Sequence, residues 1–174
     1  MRPEEVKQLL IDMRAGATTV DEALLALRRL PVENLGFARL DTHREMRQGL
    51  AEAIYAEGKT PEQTVAIAAR LLATTTSPVL ATRAPEDTAA ALLREWPDAD
   101  YSEVARIVVL RPARREGGDA LGRICVVSAG TSDLPVAEEA ATTAEALGAR
   151  VERFTDVGVA GLHRLLDIQD ALHE

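Results

Sequence analysis

The sequence predicts an α/β protein. Short Val- and Ile-rich runs alternate with stretches of helical period. Small and polar residues of the kind that join a strand to a helix separate them. After residue 120 the order is strand, helix, strand, helix, the connection that parallel strands need. Of 174 residues, 47% are apolar but only 3% aromatic, so the core has to be built from Ala, Leu, Val and Ile.

The elements follow in chain order. Val6, Leu9, Leu10 and Met13 recur at helical spacing, and Ala15-Gly16 breaks that run. Thr19 and Glu22 have capping-box spacing ahead of a second stripe, Val20, Ala23, Leu24 and Leu27, with Pro31 beyond its end. Phe37–Asp41 and Ala53–Tyr55 read as short strands around a polar segment, Thr42–Gln48. Thr60-Pro61-Glu62-Gln63 opens a helix running to about Ala73: Thr60 caps, Pro61 suits the first turn and Gln63 reaches back. Pro78–Ala81 reads as a strand, Pro85–Glu95 as a helix stopped by Trp96-Pro97, and Arg106–Leu110 as a strand. Arg123–Ser128 follows, with Ile124, Cys125, Val126 and Val127 unbroken, as expected of a parallel strand covered on both faces. A helix over 134–147, a strand over 151–154 and a helix over 159–173 complete the chain.

Residues 112–120 carry no apolar period and two glycines. The expected organisation is a small α/β domain over 1–112, a linker over 113–120 and a second unit over 121–174. Two parallel strands do not make a stable sheet. The second unit is therefore expected to be completed by the first domain or a partner, or else to be part of a longer chain.

Composition excludes several function classes. The net charge is −8; residues 1–112 hold 14 basic and 17 acidic groups, and residues 113–174 hold 6 and 11. Neither part suits sequence-independent binding of nucleic acid. No stretch approaches the apolar length of a membrane span, and the acidic start Met1–Glu5 is no secretory signal, so no membrane partner is expected. Cys125 is the single cysteine, which excludes an internal disulfide and a Cys-rich metal site, and the expected compartment is the cytoplasm. His43, His163 and His173 are scattered and make no zinc site, so no metal site is assigned.

The chemistry is expected at two turns. Ser128-Ala129-Gly130-Thr131-Ser132-Asp133 joins a parallel strand to a helix, where ligands of α/β sheets bind beyond the strands' carboxyl ends. Helix amides there attract phosphate or carboxylate. Gly130 admits a ligand close to the backbone, Ser128, Thr131 and Ser132 offer hydroxyls, and Asp133 can accept from a ribose hydroxyl. The plainer reading makes Ser132 or Asp133 a helix cap. At the next strand end, Asp156 can orient a hydroxyl or a cation, and Gly158 and Gly161 admit close approach. His163 can contact an anion or exchange a proton, although a partly buried helix residue is the plainer reading. Gly58-Lys59-Thr60 lacks the upstream glycine of a P-loop, and a solvated lysine is the favoured reading of Lys59. Asp41, His43, Arg44, Glu45 and Arg47 read first as a solvated ion-pair cluster and second as an anion-binding patch. Cys125 reads as a small core residue.

Both turns, continued through Leu134-Pro135-Val136-Ala137 and Arg164-Leu165-Leu166, resemble the LarB family, pyridinium-3,5-biscarboxylic acid mononucleotide synthases of nickel-pincer cofactor assembly. So do Asp41–Gly49, Glu57–Gln63 and Ala81-Thr82-Arg83-Ala84, which adds Arg83 to the secondary candidates Asp41, Arg44, Arg47 and Lys59. The second unit is more distantly similar to PurE-type aminoimidazole ribonucleotide carboxylases, so the resemblance implies the N-terminal half of a PurE-like, doubly wound parallel sheet. It also implies carboxylation of nicotinic acid adenine dinucleotide at pyridinium C5, with CO2 or bicarbonate as co-substrate, and hydrolysis of the phosphoanhydride to release AMP. No further cofactor is implied with certainty, and Mg2+ is a candidate ion. A homo-oligomer is expected, an octamer in complete members. The family's nucleophilic cysteine is expected beyond Glu174, Cys125 not being at its position, so these residues alone are not expected to perform the whole reaction. The alternatives are a purine-pathway carboxylase, disfavoured by the N-terminal domain, and a non-catalytic nucleotide-binding or assembly module.

Overall fold

The computed structural model describes residues 3–28, 33–42, 44–112 and 122–173. The expected linker 113–120 lies outside them. Helices α1 (Pro3–Arg14) and α2 (Val20–Arg28) form where the two apolar stripes predict them. The capping box between them is made: the Glu22 carboxylate accepts from the Thr19 amide and hydroxyl, and the Glu22 amide donates to Thr19 Oγ1. Glu22 is thereby held below the ordinary carboxyl pKa. Two short strands, β1 (Glu33–Asn34) and β2 (Arg39–Leu40), pair antiparallel. The strand expected over 37–41 is thus reduced to two residues. The polar segment after it contains a one-turn helix, α3 (Arg44–Gln48), which its charged composition did not signal.

The central sheet holds β3 (Ile54–Tyr55), β4 (Val79–Thr82), β5 (Asp100–Ser102) and β6 (Ile107–Leu110) in the order β3-β4-β6-β5. β3 and β4 are parallel; β6 runs antiparallel to both β4 and β5. The first unit is α/β as expected, with a mixed sheet. β5 escaped the sequence reading because Asp100-Tyr101-Ser102 has no apolar run; pairing to β6 holds it.

Alternation along β4 and β6 splits the core. Val79, Ala81, Val108 and Leu110 join Ile67, Leu71 and Leu92 from helices α4 (Pro61–Thr74) and α5 (Glu86–Glu95). On the other face, Leu80, Ile107 and Val109 pack with Ala105 and with Ala146 of α6 (Leu134–Ala146). Each fully buried Leu, Ile or Val contributes roughly 1.5–3 kcal/mol, which explains why β6 reads as four consecutive apolar residues. α4 starts as predicted: the Gln63 amide donates to Thr60 Oγ1 and the Thr60 amide to Gln63 Oε1.

After residue 121, β7 (Arg123–Val127) and β8 (Arg150–Phe154) pair in parallel, Arg123 opposite Arg150 and Val127 opposite Phe154. α6 packs on this pair and also against β4 and β6. The expectation that β7 is covered on both faces fails. Ile124, Cys125 and Val127 are exposed, because α6 covers one face and no other described helix packs comparably on the pair. Cys125 is therefore not a core residue here. The last predicted helix is broken into a 3-10 turn (Val159–Gly161), α7 (Leu162–Asp167) and α8 (Gln169–His173). No helix among the described residues is long and apolar enough to cross a membrane.

Candidate functional site

Parallel pairing brings the two predicted turns to one edge. The ladder of β7 and β8 continues past the strands: the Ser128 amide donates to Phe154 O at 2.9 Å, the Val157 amide to Ser128 O at 3.1 Å and the Gly158 amide to Ala129 O at 3.1 Å. The turns are zipped together through their backbones. Gly158 is required by that contact, since a Cβ there would lie 2.8 Å from the Ala129 carbonyl oxygen. Its small size thus serves the joining of the turns. At Gly130 a Cβ would meet nothing within 4 Å, so the space in front of that residue is open.

The Ser128 side chain is the unusual one. Ser128 is 6% exposed and its Oγ is buried without a hydrogen-bond partner. Buried hydroxyls are normally paired. Thr131, Ser132 and Asp133 are exposed on a 3-10 turn leading into α6. One Asp133 carboxylate oxygen accepts from the Gly130 amide at 3.0 Å, so Asp133 ties its own turn. The helix-cap reading is met in position only: Asp133 stands at the N-cap of α6 but makes no side-chain cap bond to it, its carboxylate closing the preceding 3-10 turn instead. Asp156, at φ +59, is paired with Arg164, whose guanidinium also lies where a Cβ on Gly161 would sit. His163 is exposed, against the expectation of partial burial, because only a short helix carries it.

The secondary candidates fall into two groups. Lys59 is half-buried: its Nζ donates to Tyr55 O at 2.6 Å and lies 5.9 Å from the Tyr55 ring centroid, so it is not the solvated lysine expected. Arg83 lies 5.7 Å from the same centroid, 3.7 Å from Glu57 and 3.5 Å from Glu139 of α6. Two residues outside the sequence candidates join them, Tyr55 from the expected strand 53–55 and Glu57 from the motif Glu57–Gln63; the Tyr55 hydroxyl donates to the Glu57 carboxylate. That bond raises the Tyr55 pKa and lowers that of Glu57, and Arg83 adds to the lowering. The guanidinium of Arg83 is stabilised in turn, chiefly by Glu139.

The Asp41–Arg47 cluster is more structural than a solvated ion-pair face. Glu45 accepts from Thr75 Oγ1 at 2.5 Å and Ser77 Oγ at 2.6 Å, and the Asp41 amide donates to Glu52 at 2.6 Å. Asp41 precedes α3, and the Arg44 amide donates to its carbonyl at 3.3 Å. His43 and the Arg47 side chain lie outside the described residues. A largely apolar cleft of about 860 Å³ lies between Leu50 and Arg83 on one side and Ile124, Val136, Glu139 and Ala144 on the other; no turn residue lines it. No group of three His, Cys, Asp or Glu side chains able to hold a metal occurs among the described residues.

Comparison with known proteins fits this arrangement. The chain is 28% identical over 168 residues to an uncharacterized protein of Methanocaldococcus jannaschii. The match takes in 93% of the chain and 65% of that relative, so the chain spans less than two thirds of the relative's length. Residues 32–113 match the family described as the LarB/PurE-like N-terminal domain. That span contains the central sheet and the Tyr55–Arg83 cluster, and over it the LarB-family resemblance read from the sequence is borne out: the chain carries a LarB/PurE-like N-terminal domain.

Proposed function

We propose that this chain belongs to a LarB/PurE-type carboxylase. In this reading the two zipped turns hold the phosphate and ribose of nicotinic acid adenine dinucleotide. The observation that carries it is the buried, unpartnered Ser128 hydroxyl at the carboxyl end of a parallel strand, two residues before Gly130, where the space is open. A phosphate oxygen is the acceptor such a hydroxyl lacks. The exposed Thr131 and Ser132 hydroxyls and the first-turn amides supply further donors. His163, exposed on α7 just beyond the adjoining turn, is the further group this reading assigns to the anion. The Asp133 carboxylate keeps one oxygen for its own turn and has the other for a ribose hydroxyl.

The activity that this supports is addition of a carboxyl group from CO2 or bicarbonate at pyridinium C5, with hydrolysis of the phosphoanhydride to release AMP. The turns contribute binding and orientation to it. The thiolate addition that opens the pyridinium to carboxylation is assigned to no residue of this chain. The turns offer Mg2+ no pair of free carboxylates, since Asp133 gives one oxygen to Gly130 and Asp156 is paired with Arg164, and no step is routed through a metal. The exposed apolar side chains of β7 support homo-oligomerisation.

Calorimetric titration of the dinucleotide into the chain tests the assignment. Ser132→Ala combined with Asp133→Ala is expected to weaken binding about tenfold or more. Unchanged affinity in a variant that still melts cooperatively removes it.

A further inference from the structure

We propose that the first domain carries a second oxyanion site, for the phosphate group of a nucleoside monophosphate, built from Lys59, Arg83 and Arg106. β3 and β4 run parallel, and the loops leaving them for α4 and α5 share one edge. Ligands of α/β sheets bind at such carboxyl edges. Lys59 Nζ and the Arg83 guanidinium lie 5.9 and 5.7 Å from the Tyr55 ring centroid, and Arg106 joins them through the Arg83 backbone. Arg106 Nη2 reaches the Arg83 carbonyl at 3.4 Å, the Arg106 carbonyl accepts from the Ala84 amide at 2.8 Å, and Arg106 is close enough to Glu57 to lower its pKa.

Two features separate this cluster from an ordinary surface network. Arg83 and Arg106 both adopt the left-handed region, at φ +49 and +53. For a residue with a Cβ that costs on the order of 1 kcal/mol or more, and such residues gather at ligand sites. Arg83 also keeps its carboxylate partners at a distance. Its carboxylate contacts, at 3.5 and 3.7 Å, are longer than charge-assisted hydrogen bonds. Arg153, by contrast, is clamped on Glu138 at 3.0 Å and on Glu145 at 2.7 Å, which is a structural pair. A phosphate dianion offers Arg83 shorter, bidentate bonds than it now has. The exposed Tyr55 ring beside the cations is a surface for the nucleoside.

This site shares no residue with the turns, and its link to the dinucleotide rests on the reading above: it would hold the adenylate half while the turns hold the nicotinate half. AMP and inorganic phosphate, titrated separately into the 174-residue chain, test it. Arg83→Gln and Lys59→Gln are each expected to weaken AMP about tenfold or more, with Trp96 fluorescence melts reporting that the first core is intact. AMP binding more tightly than phosphate assigns the site to a nucleotide; equal binding assigns it to the phosphate group itself. The Ser132→Ala, Asp133→Ala variant is expected to retain AMP. Absence of binding by either probe at millimolar concentration overturns the site. So does AMP affinity that survives Arg83→Gln and Lys59→Gln, or that is lost only in the turn variant. Dinucleotide affinity unchanged in the turn variant would refute the turn assignment alone.

Discussion

Replacing Ser128 by alanine separates the demands of the fold from those of the ligand. The residue is 6% exposed and its hydroxyl is buried without a partner. Burying an unpaired hydroxyl costs about 1–3 kcal/mol in protein mutational data. Alanine removes the oxygen and leaves a void smaller than a methyl group, which returns part of that gain. The expected net effect is stabilisation by about 1 kcal/mol, or about 2–4 °C in Tm for a chain of this size. In the presence of ligand the sign reverses. A hydroxyl hydrogen bond to a charged acceptor contributes about 1.5–3 kcal/mol, so Ser128→Ala is expected to weaken dinucleotide binding about 10–100-fold. Differential scanning calorimetry of the 174-residue chain reads the first effect and isothermal titration the second. A variant that melts lower than wild type and binds unchanged would refute the reasoning, since the hydroxyl would then be serving the fold.

Three further perturbations follow from the same geometry. Gly158→Ala puts a Cβ 2.8 Å from a backbone oxygen and is expected to destabilise by about 1–3 kcal/mol, whereas Gly130→Ala, meeting nothing within 4 Å, is expected to leave Tm within error; thermal melts of the pair check this. Thr60→Ala removes the hydroxyl half of a complete capping box and is expected to cost about 1 kcal/mol in urea unfolding followed by Trp96 fluorescence. The Tyr55–Glu57 bond gives a pH signature. Tyr55 is raised above 10.0, so its contribution is complete below that value and is lost as pH rises through the folded pKa; Glu57 is lowered below 4.5, so its contribution is present above that value and is lost as pH falls through the folded pKa. In a Tyr101→Phe background, Glu57→Gln is expected to bring the ultraviolet titration of Tyr55 down toward the ordinary phenol value, and an unmoved midpoint would show that Glu57 does not perturb it.

Much of the first domain was legible because its signals are local. Thr60, Pro61 and Gln63 define a helix start within one turn, and Ile107–Leu110 is apolar throughout because both faces of its strand are covered. β5 and α3 were not legible, since neither has an apolar period and both depend on tertiary partners: β5 on its ladder with β6, and α3 on the Glu45 bonds to Thr75 and Ser77. β7 shows the converse error. Its unbroken apolar run reads as buried, yet burial needs a second covering layer, and among the described residues no helix other than α6 packs comparably on the pair. At the turns, residue types showed which donors were present but not which were already engaged. Asp133 and Asp156 look alike in sequence; one ties its own turn and the other is held by Arg164 eight residues on. The Tyr55–Glu57–Arg83 cluster joins Arg83 to residues 28 and 26 positions earlier, and the parallel pairing of β3 and β4 brings them together.

If the turns after β7 and β8 form a single anion-binding rim, amide NMR spectra of the 174-residue chain titrated with nicotinic acid adenine dinucleotide will show it. The expected shifts are saturable, largest at Gly130–Asp133, and extend to Val157–His163. Shifts that leave both turns unmoved, or that move one turn and spare its neighbour, would contradict it.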